Sequence, residues 1–238
     1  MDDAEYALMD DAEDGMWWYR ALHARLADAL ADVAGPVLDA GCGTGGLLAR
    51  LAGRRGLAPV GLEYHPAAAA RARAKSGRPV AVGSVNALPF ADASFTAAVS
   101  ADVLCHRNVE PASALAELRR VLRPGGLLVV NMPAYQWLMS AHDLRVHNAR
   151  RTTPAALRAE LRRAGFNVRR AGFWNGLLLP VMVAQRKLLA RAPQAGSDVA
   201  AYPPWLDASL HAITEIERRL PLPLPAGGSV LAIASRPA

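Results

Sequence analysis

Asp39-Ala40-Gly41-Cys42-Gly43-Thr44-Gly45-Gly46 follows the apolar pair Val37-Leu38 and runs into Leu47-Leu48-Ala49-Arg50-Leu51. An apolar run enters a glycine-dense turn and leaves it as an amphipathic helix, the pattern of a strand, a tight loop and a helix N-terminus. Glycine lets the backbone take positive φ and lets a ligand approach with no Cβ in its way. The helix start offers unpaired N–H groups to a polar or anionic group. Gly41, Gly43 and Gly46 also satisfy the Gly-x-Gly-x-x-Gly spacing of dinucleotide sites, so the glycines alone leave the ligand open. Glu63 ends the next apolar run, where a carboxylate accepts both hydroxyls of a ribose. His106 follows a later apolar run, Ser94–Ser100, and an imidazole with an ordinary pKa near neutrality suits proton transfer.

These groups need a sheet to carry them. Val37–Ala40, Leu57–Glu63, Pro79–Val82, Ser94–Ser100 and Leu127–Asn131 read as strands. Helical runs alternate with them: Leu47–Leu51, Pro66–Lys75 with Pro at its first position, and Ala112–Leu122. That alternation predicts βαβ units and a parallel sheet, with ligands outside the carboxyl ends of the strands. Residues 4–32 read as one helical stretch with an apolar stripe through Trp17, Trp18, Leu22, Leu26 and Leu30. Thr153 caps a helix Pro154–Ala164, Phe166–Trp174 is a sixth strand, and Ser229–Ser235 a last one. Between these two strands lie the apolar Gly176–Ala190, a Pro/Gly/Ser linker Ala192–Pro204 and an amphipathic helix Trp205–Leu220. Pro180 argues against one long helix in the apolar part. The expected organisation is an N-terminal helical cap (1–35), a core (36–175), a helical insertion serving as lid or dimer element (176–222), and the last core strand (223–238).

Asp39 directly before the first glycine, with Gly45 crowding the turn, resembles motif I of the class I S-adenosylmethionine (SAM) methyltransferases of the type-11 kind. Gly83-Ser84-Val85-Asn86-Ala87-Leu88-Pro89-Phe90 is similar to that family's Gly-Asp-Ala-x-x-Leu-Pro-Phe segment, and Arg123-Pro124-Gly125-Gly126 to its turn into strand five. The resemblance covers residues 37–131 in the correct order. It implies a Rossmann-like, mostly parallel seven-stranded sheet with an antiparallel last strand, and SAM as cofactor. It places Asp39, Gly41, Cys42, Gly43 and Gly45 around the methionine part, Glu63 on the ribose and Tyr64 against the adenine. Ser84 stands where relatives have an acid that accepts the adenine amino group, a contact weakened by about 1 kcal/mol without the charge. The Val85 N–H donates to the ring, with Asn86 beside it and Ser100 at the tip of strand four. Arg20, on the N-terminal helix, is the residue expected to meet the cofactor carboxylate.

Methyl transfer needs donor and acceptor in line and, for a hydroxyl, a group to take its proton. His106 is the expected base. The loop Tyr135–Arg151 is expected to wall the acceptor pocket together with Trp17–Arg20, with His142 or His147 positioning the acceptor. Asp102, Cys105, His106, His142, Asp143 and His147 are residue types that can ligate a metal, but their spacing matches no standard signature, and no metal is expected. The expected function is transfer of a methyl group to a small-molecule acceptor, on oxygen rather than nitrogen or carbon. Two other readings are a fold that binds SAM without methylating (a cyclase, scaffold or regulatory subunit) and a methyltransferase for a lipid-linked saccharide at a membrane surface.

Composition limits the setting. No span is apolar and charge-free enough to cross a bilayer, no secretory leader opens the chain, and two cysteines build no framework, so a cytoplasmic location is expected. The formal charge is +6, yet seven of the 21 acidic residues and no basic one lie in the first 14 positions. The basic remainder is nearly all arginine on predicted helix faces, read as solvated surface rather than a nucleic-acid site. The apolar-then-basic Leu177–Arg191 stretch is the one candidate for peripheral membrane contact.

Overall fold

The computed structural model describes residues 3–188, 202–220 and 223–238. Strands β1 (Gly35–Ala40), β2 (Leu57–Glu63), β3 (Val80–Val82), β4 (Phe95–Ala101), β5 (Leu122–Pro133), β6 (Asn167–Trp174) and β7 (Ser229–Ser235) form one sheet in the order β3-β2-β1-β4-β5-β7-β6. β1 to β5 pair in parallel, while β7 runs antiparallel to both β5 and β6. The strand order reverses between β1 and β4, so a crevice opens at their carboxyl ends.

Both faces of the sheet are covered, which is why its central strands are apolar without alternation. Leu128 and Val130 of β5 join Leu115 and Leu118 of α5 (Pro111–Val121) and Leu157 and Leu161 of α7 (Pro154–Arg163) on one side. Leu127 and Val129 point the other way, to Leu22 and Leu26 of α2 (Trp17–Ala29) and Leu47 and Leu51 of α3 (Gly46–Ala52). Pro66 opens α4 (Pro66–Ser76), and the Thr153 hydroxyl accepts from Ala156 N at the start of α7.

The single helix expected over 4–32 is two. A shorter α1 (Asp3–Ala12) ends before a turn through Gly15, and α2 restarts at Trp17. The break lets Glu13 fold inward, where it is 3% exposed against Thr44 and Lys75.

The insertion supplies α8 (Leu179–Leu188), with Pro180 in its first turn, and α9 (Pro204–Arg219). Residues 189–201, most of the expected linker and the end of the apolar stretch, lie outside the described residues. Helix α9 is tied back to the core through two acids. Asp207 accepts from Trp17 N and Arg20 Nη2, both at 2.7 Å, capping α2. Glu217, buried, accepts from Asn175 N (2.6 Å), Gly176 N (2.7 Å), Leu177 N (3.1 Å) and Arg25 Nη2 (3.1 Å). The Arg25 guanidinium in turn lies 4.6 Å from the centre of the Trp174 ring.

Candidate cofactor and acceptor site

Gly41, Gly43 and Gly45 take φ of +94°, +55° and +97°, as the sequence requires of a turn between a buried strand and a buried helix. A Cβ on Gly45 would sit 2.7 Å from the Ala72 Cα, so this glycine is set by packing of α3 against α4. Gly43 instead faces the crevice: its N–H donates to Glu63 Oε2 at 3.0 Å, and a Cβ there would meet only the end of the Met9 side chain. Asp39 at the β1 tip is 2% exposed, and its Oδ2 has no hydrogen-bond partner.

Glu13, Asp39 and Glu63 all line one cavity of about 1520 Å³ above the strand ends. Burial, with Glu13 and Glu63 adding repulsion, pushes the Asp39 carboxyl up to about 7. An orphaned, crowded carboxylate beside a cradle without Cβ atoms fits a cationic, backbone-bound ligand, as the ammonium and sulfonium of SAM would be.

The sign of the pH effect follows. The folded chain holds a proton on Asp39 between about pH 4 and 7 that the unfolded chain has lost, so this group weakens the free protein as pH rises through that window. A ligand cation lowers the Asp39 pKa and expels the proton. We expect SAM affinity to rise about tenfold from pH 6 to pH 8, with proton release on binding at pH 6.5. Calorimetry in buffers of different ionisation enthalpy measures both, and Asp39→Asn should remove the pH dependence while raising the melting temperature of the free chain at pH 8.

Helix α1 lies across this cradle. The Tyr6 hydroxyl donates to Glu63 Oε1 (2.8 Å), the oxygen that also accepts from His65 N (3.0 Å), and the Tyr6 ring stacks on His65 at 4.8 Å. Glu13 accepts from the Thr44 hydroxyl at 2.5 Å. Lys75 on α4 reaches Asp10 and Glu13, each at 2.6 Å. The acidic start of the sequence is therefore a docking face for α1.

The other half of the cavity begins at the β4 tip. Asp102 adopts φ +54° and its Oδ1 accepts from Asn131 Nδ2 at 3.0 Å, while Asn131 Oδ1 accepts from Trp174 Nε1 at 2.8 Å. Burial raises the Asp102 carboxyl to about 6. His106 lines the cavity, and burial lowers its pKa below the ordinary value.

The segment after β5 folds back onto this tip: Arg107 N donates to His147 O (2.9 Å) and Ala149 N to Cys105 O (2.8 Å). Its short helix α6 (Ala141–Arg145) starts with a Ser140–Asp143 capping box. Asp143 is buried and clamped by Arg151, whose Nη2 lies 2.8 Å from Oδ1 and 2.7 Å from Oδ2. Arg150 donates to the carbonyls of Leu104, His106 and Val109. His142 and His147 line the cavity, whereas Tyr135, Trp137 and Arg150 of the same segment do not.

Of the residues expected at the cofactor, Asp39, Gly41, Cys42, Gly43, Glu63, Tyr64, Ser84, Val85 and Asn86 line this cavity together. Gly45, Ser100 and Arg20 are not among its lining residues. Ser100 is buried at the end of β4, and Arg20 is held by Asp207, a partner 187 positions away that local sequence cannot announce. Tyr64 is 74% exposed, and its neighbour His65 makes the ring contact instead. The Ser84 hydroxyl accepts from Asn86 N within its own turn, and Asn86 is bound to Asn108 and Glu110. Among the described residues no three His, Cys, Asp or Glu side chains gather to hold a metal ion. The Asp102 side-chain chain to Trp174, the Tyr6–Glu63 contact and Asp143–Arg151 had no signature in the sequence.

A model of the methyltransferase domain, type 11, matches residues 38–130, the stretch from β1 to β5 that builds the cradle. A protein of Mycolicibacterium smegmatis named as a probable S-adenosylmethionine-dependent methyltransferase is 34% identical over 165 residues, 66% of this chain and 62% of that one. Over the stretch from β1 to β5 the chain is similar to the class I SAM-dependent methyltransferases. The cofactor of that family is SAM.

An O-methyltransferase of Penicillium expansum, cnsE, is 38% identical over 101 residues, 40% of this chain and 36% of that one. The rice (Oryza sativa subsp. japonica) 24-methylenesterol C-methyltransferase 2 is 34% identical over 125 residues, 49% and 33% of the two chains. The chain thus spans between 33% and 62% of these relatives' lengths. A chain in the complex between the Haloferax volcanii Trm112 methyltransferase activator and a candidate methyltransferase shares the methyltransferase fold, with a TM-score of 0.66, 23% identity and coverage of 99% of this chain and 95% of that one.

Proposed function

We propose that this methyltransferase moves the methyl group of SAM to a hydroxyl oxygen of a small-molecule acceptor, with His106 taking the hydroxyl proton. The observation that carries the reading is that Asp39, Gly43, Glu63 and His106 line one cavity, which at about 1520 Å³ exceeds the few hundred to 1,000 Å³ of an ordinary single-ligand pocket. When bound, SAM supplies an electrophilic methyl carbon on a sulfonium. Asp39 would answer its positive charge, the Gly41–Gly43 backbone would hold it, and Glu63 would take the ribose hydroxyls once Tyr6 yields its bond.

His106 would take the acceptor hydroxyl's proton as the oxygen gains the methyl and the carbon–sulfur bond breaks, S-adenosylhomocysteine being the leaving group. Burial keeps His106 neutral at pH 7, so it is ready to accept. His106→Ala should lower kcat about 100-fold with SAM affinity intact, and wild-type kcat/KM should fall with acid below the ordinary histidine pKa of about 6.5. Unchanged turnover in that variant would remove His106 from the chemistry. A second reading, a chain that binds SAM without transfer, is favoured by Ser84, which stands where relatives carry an acid and whose hydroxyl accepts from Asn86 N within its own turn. Methyl transfer from labelled SAM to any component of a metabolite extract excludes it.

A further inference from the structure

The cavity carries carboxylates at one end and arginines at the other, where the two acids present, Asp102 and Asp143, are bonded to Asn131 and Arg151. Glu13, Asp39 and Glu63 stand at the β1 and β2 tips, while Arg107 and Arg145 line the wall formed where the β4 tip meets α6. That wall is one surface: Arg107 N bonds His147 O, and His106 bridges to Asn148. Two other arginines of the cavity are already used, because Arg151 clamps Asp143 and Arg186 donates to Leu138 O. Arg107 and Arg145 differ. Neither guanidinium makes a hydrogen bond or ion pair with any described residue, and Arg145 Nε is buried without a partner. Arg107 is exposed and Arg145 half-buried, and the unpaired buried donor at Arg145 Nε costs free energy that a bound anion recovers. Between the two ends, Leu22, Leu178, Met182, Leu206 and Leu210 from α2 and the insertion add apolar lining.

We infer that Arg107 and Arg145 form a subsite for an anionic group, phosphate or carboxylate, of an amphipathic acceptor whose apolar body lies against α2, α8 and α9. The inference deepens the proposed function and rests on it for the word acceptor. The planar fork of arginine pairs two donors with two oxygens of such a group, which fixes orientation as well as adding affinity. Anchoring the anion at α6 sets the distance from that group to the reacting hydroxyl.

The test uses the full chain and three eight-carbon probes, octyl phosphate, octanoate and octanol, titrated by calorimetry with and without saturating S-adenosylhomocysteine. At least one anionic probe should bind about tenfold more tightly than octanol or better, and which one does so separates phosphate from carboxylate. Arg107→Gln with Arg145→Gln should bring that probe down to the octanol level while S-adenosylhomocysteine affinity stays within about twofold, which also shows that the variant is folded. Arg145→Lys keeps the charge without the fork and should fall between. Equal binding of octanol and both anions, or an unchanged anion affinity in the double variant, overturns the subsite. Loss of S-adenosylhomocysteine affinity in the double variant assigns the arginines to the cofactor carboxylate and overturns it too. Failure of the unaltered chain to bind S-adenosylhomocysteine counts against the proposed function, whereas the titrations without it still decide the subsite.

Discussion

Gly43→Val should fold and lose SAM, with affinity lowered by about 100-fold or more, equivalent to about 3 kcal/mol. The position has φ +55°, where a side chain costs roughly 1–2 kcal/mol, a loss the whole domain tolerates. Its new Cβ would approach the Met9 methyl at 2.5 Å, the free end of a flexible side chain that can turn away. The two valine methyls then stand in the cradle that the cofactor's backbone contacts require. Gly45→Val makes the contrast, since its Cβ would press on the Ala72 main chain at 2.7 Å and α3 could not keep its place against α4. Circular dichroism and calorimetry separate the two: native-like spectra without binding for position 43, loss of the folded spectrum for position 45. Wild-type affinity in Gly43→Val would place the cofactor elsewhere.

The second large effect is on stability. Glu217→Ala should cost about 3–5 kcal/mol and lower the melting temperature by about 10 °C. The carboxylate answers three consecutive backbone N–H groups at the end of β6 and the buried Arg25, so alanine strands a guanidinium in a dry site and orphans the N–H groups together. Glu217→Gln keeps an acceptor and loses the charge, and should fall between. Arg218→Gln, on the same helix but in a surface pair with the half-exposed Asp28, should change stability by less than about 1 kcal/mol. Thermal unfolding of the three variants measures the difference directly, and a small effect for Glu217→Ala would mean that α9 is held by its apolar contacts alone.

What the sequence announced and what it hid divide along chain distance. The β1 turn, Glu63 and the Arg123–Gly126 turn are local patterns whose backbone requirements can be read from glycine, proline and apolar runs, and the parallel sheet follows from the βαβ alternation they punctuate. The resemblance places Arg20 at the cofactor carboxylate, yet Asp207 binds it and caps its helix from the far side of the insertion. Arg150 was read as part of a polar pocket wall, but it turns inward to three carbonyls of the β4 tip. The acidic N-terminus contrasted with a basic remainder, and the charge count held no hint that Lys75 would gather Asp10 and Glu13 over the glycine turn. The helix from 4 to 32 was broken by Glu13 turning inward, an effect of tertiary contacts that override a continuous helical pattern.

Those ion pairs carry a kinetic consequence. Helix α1 covers the cradle through Tyr6 on Glu63 and through Asp10 and Glu13 on Lys75, so the proposed seating of a nucleoside on Glu63 requires it to swing aside. Lys75 and Asp10 are partly exposed, and dissolved ions weaken attraction between such groups. Under the proposed function, ionic strength should therefore set how long each spent molecule stays trapped, and turnover limited by that departure should quicken as salt is added although no reacting group has changed.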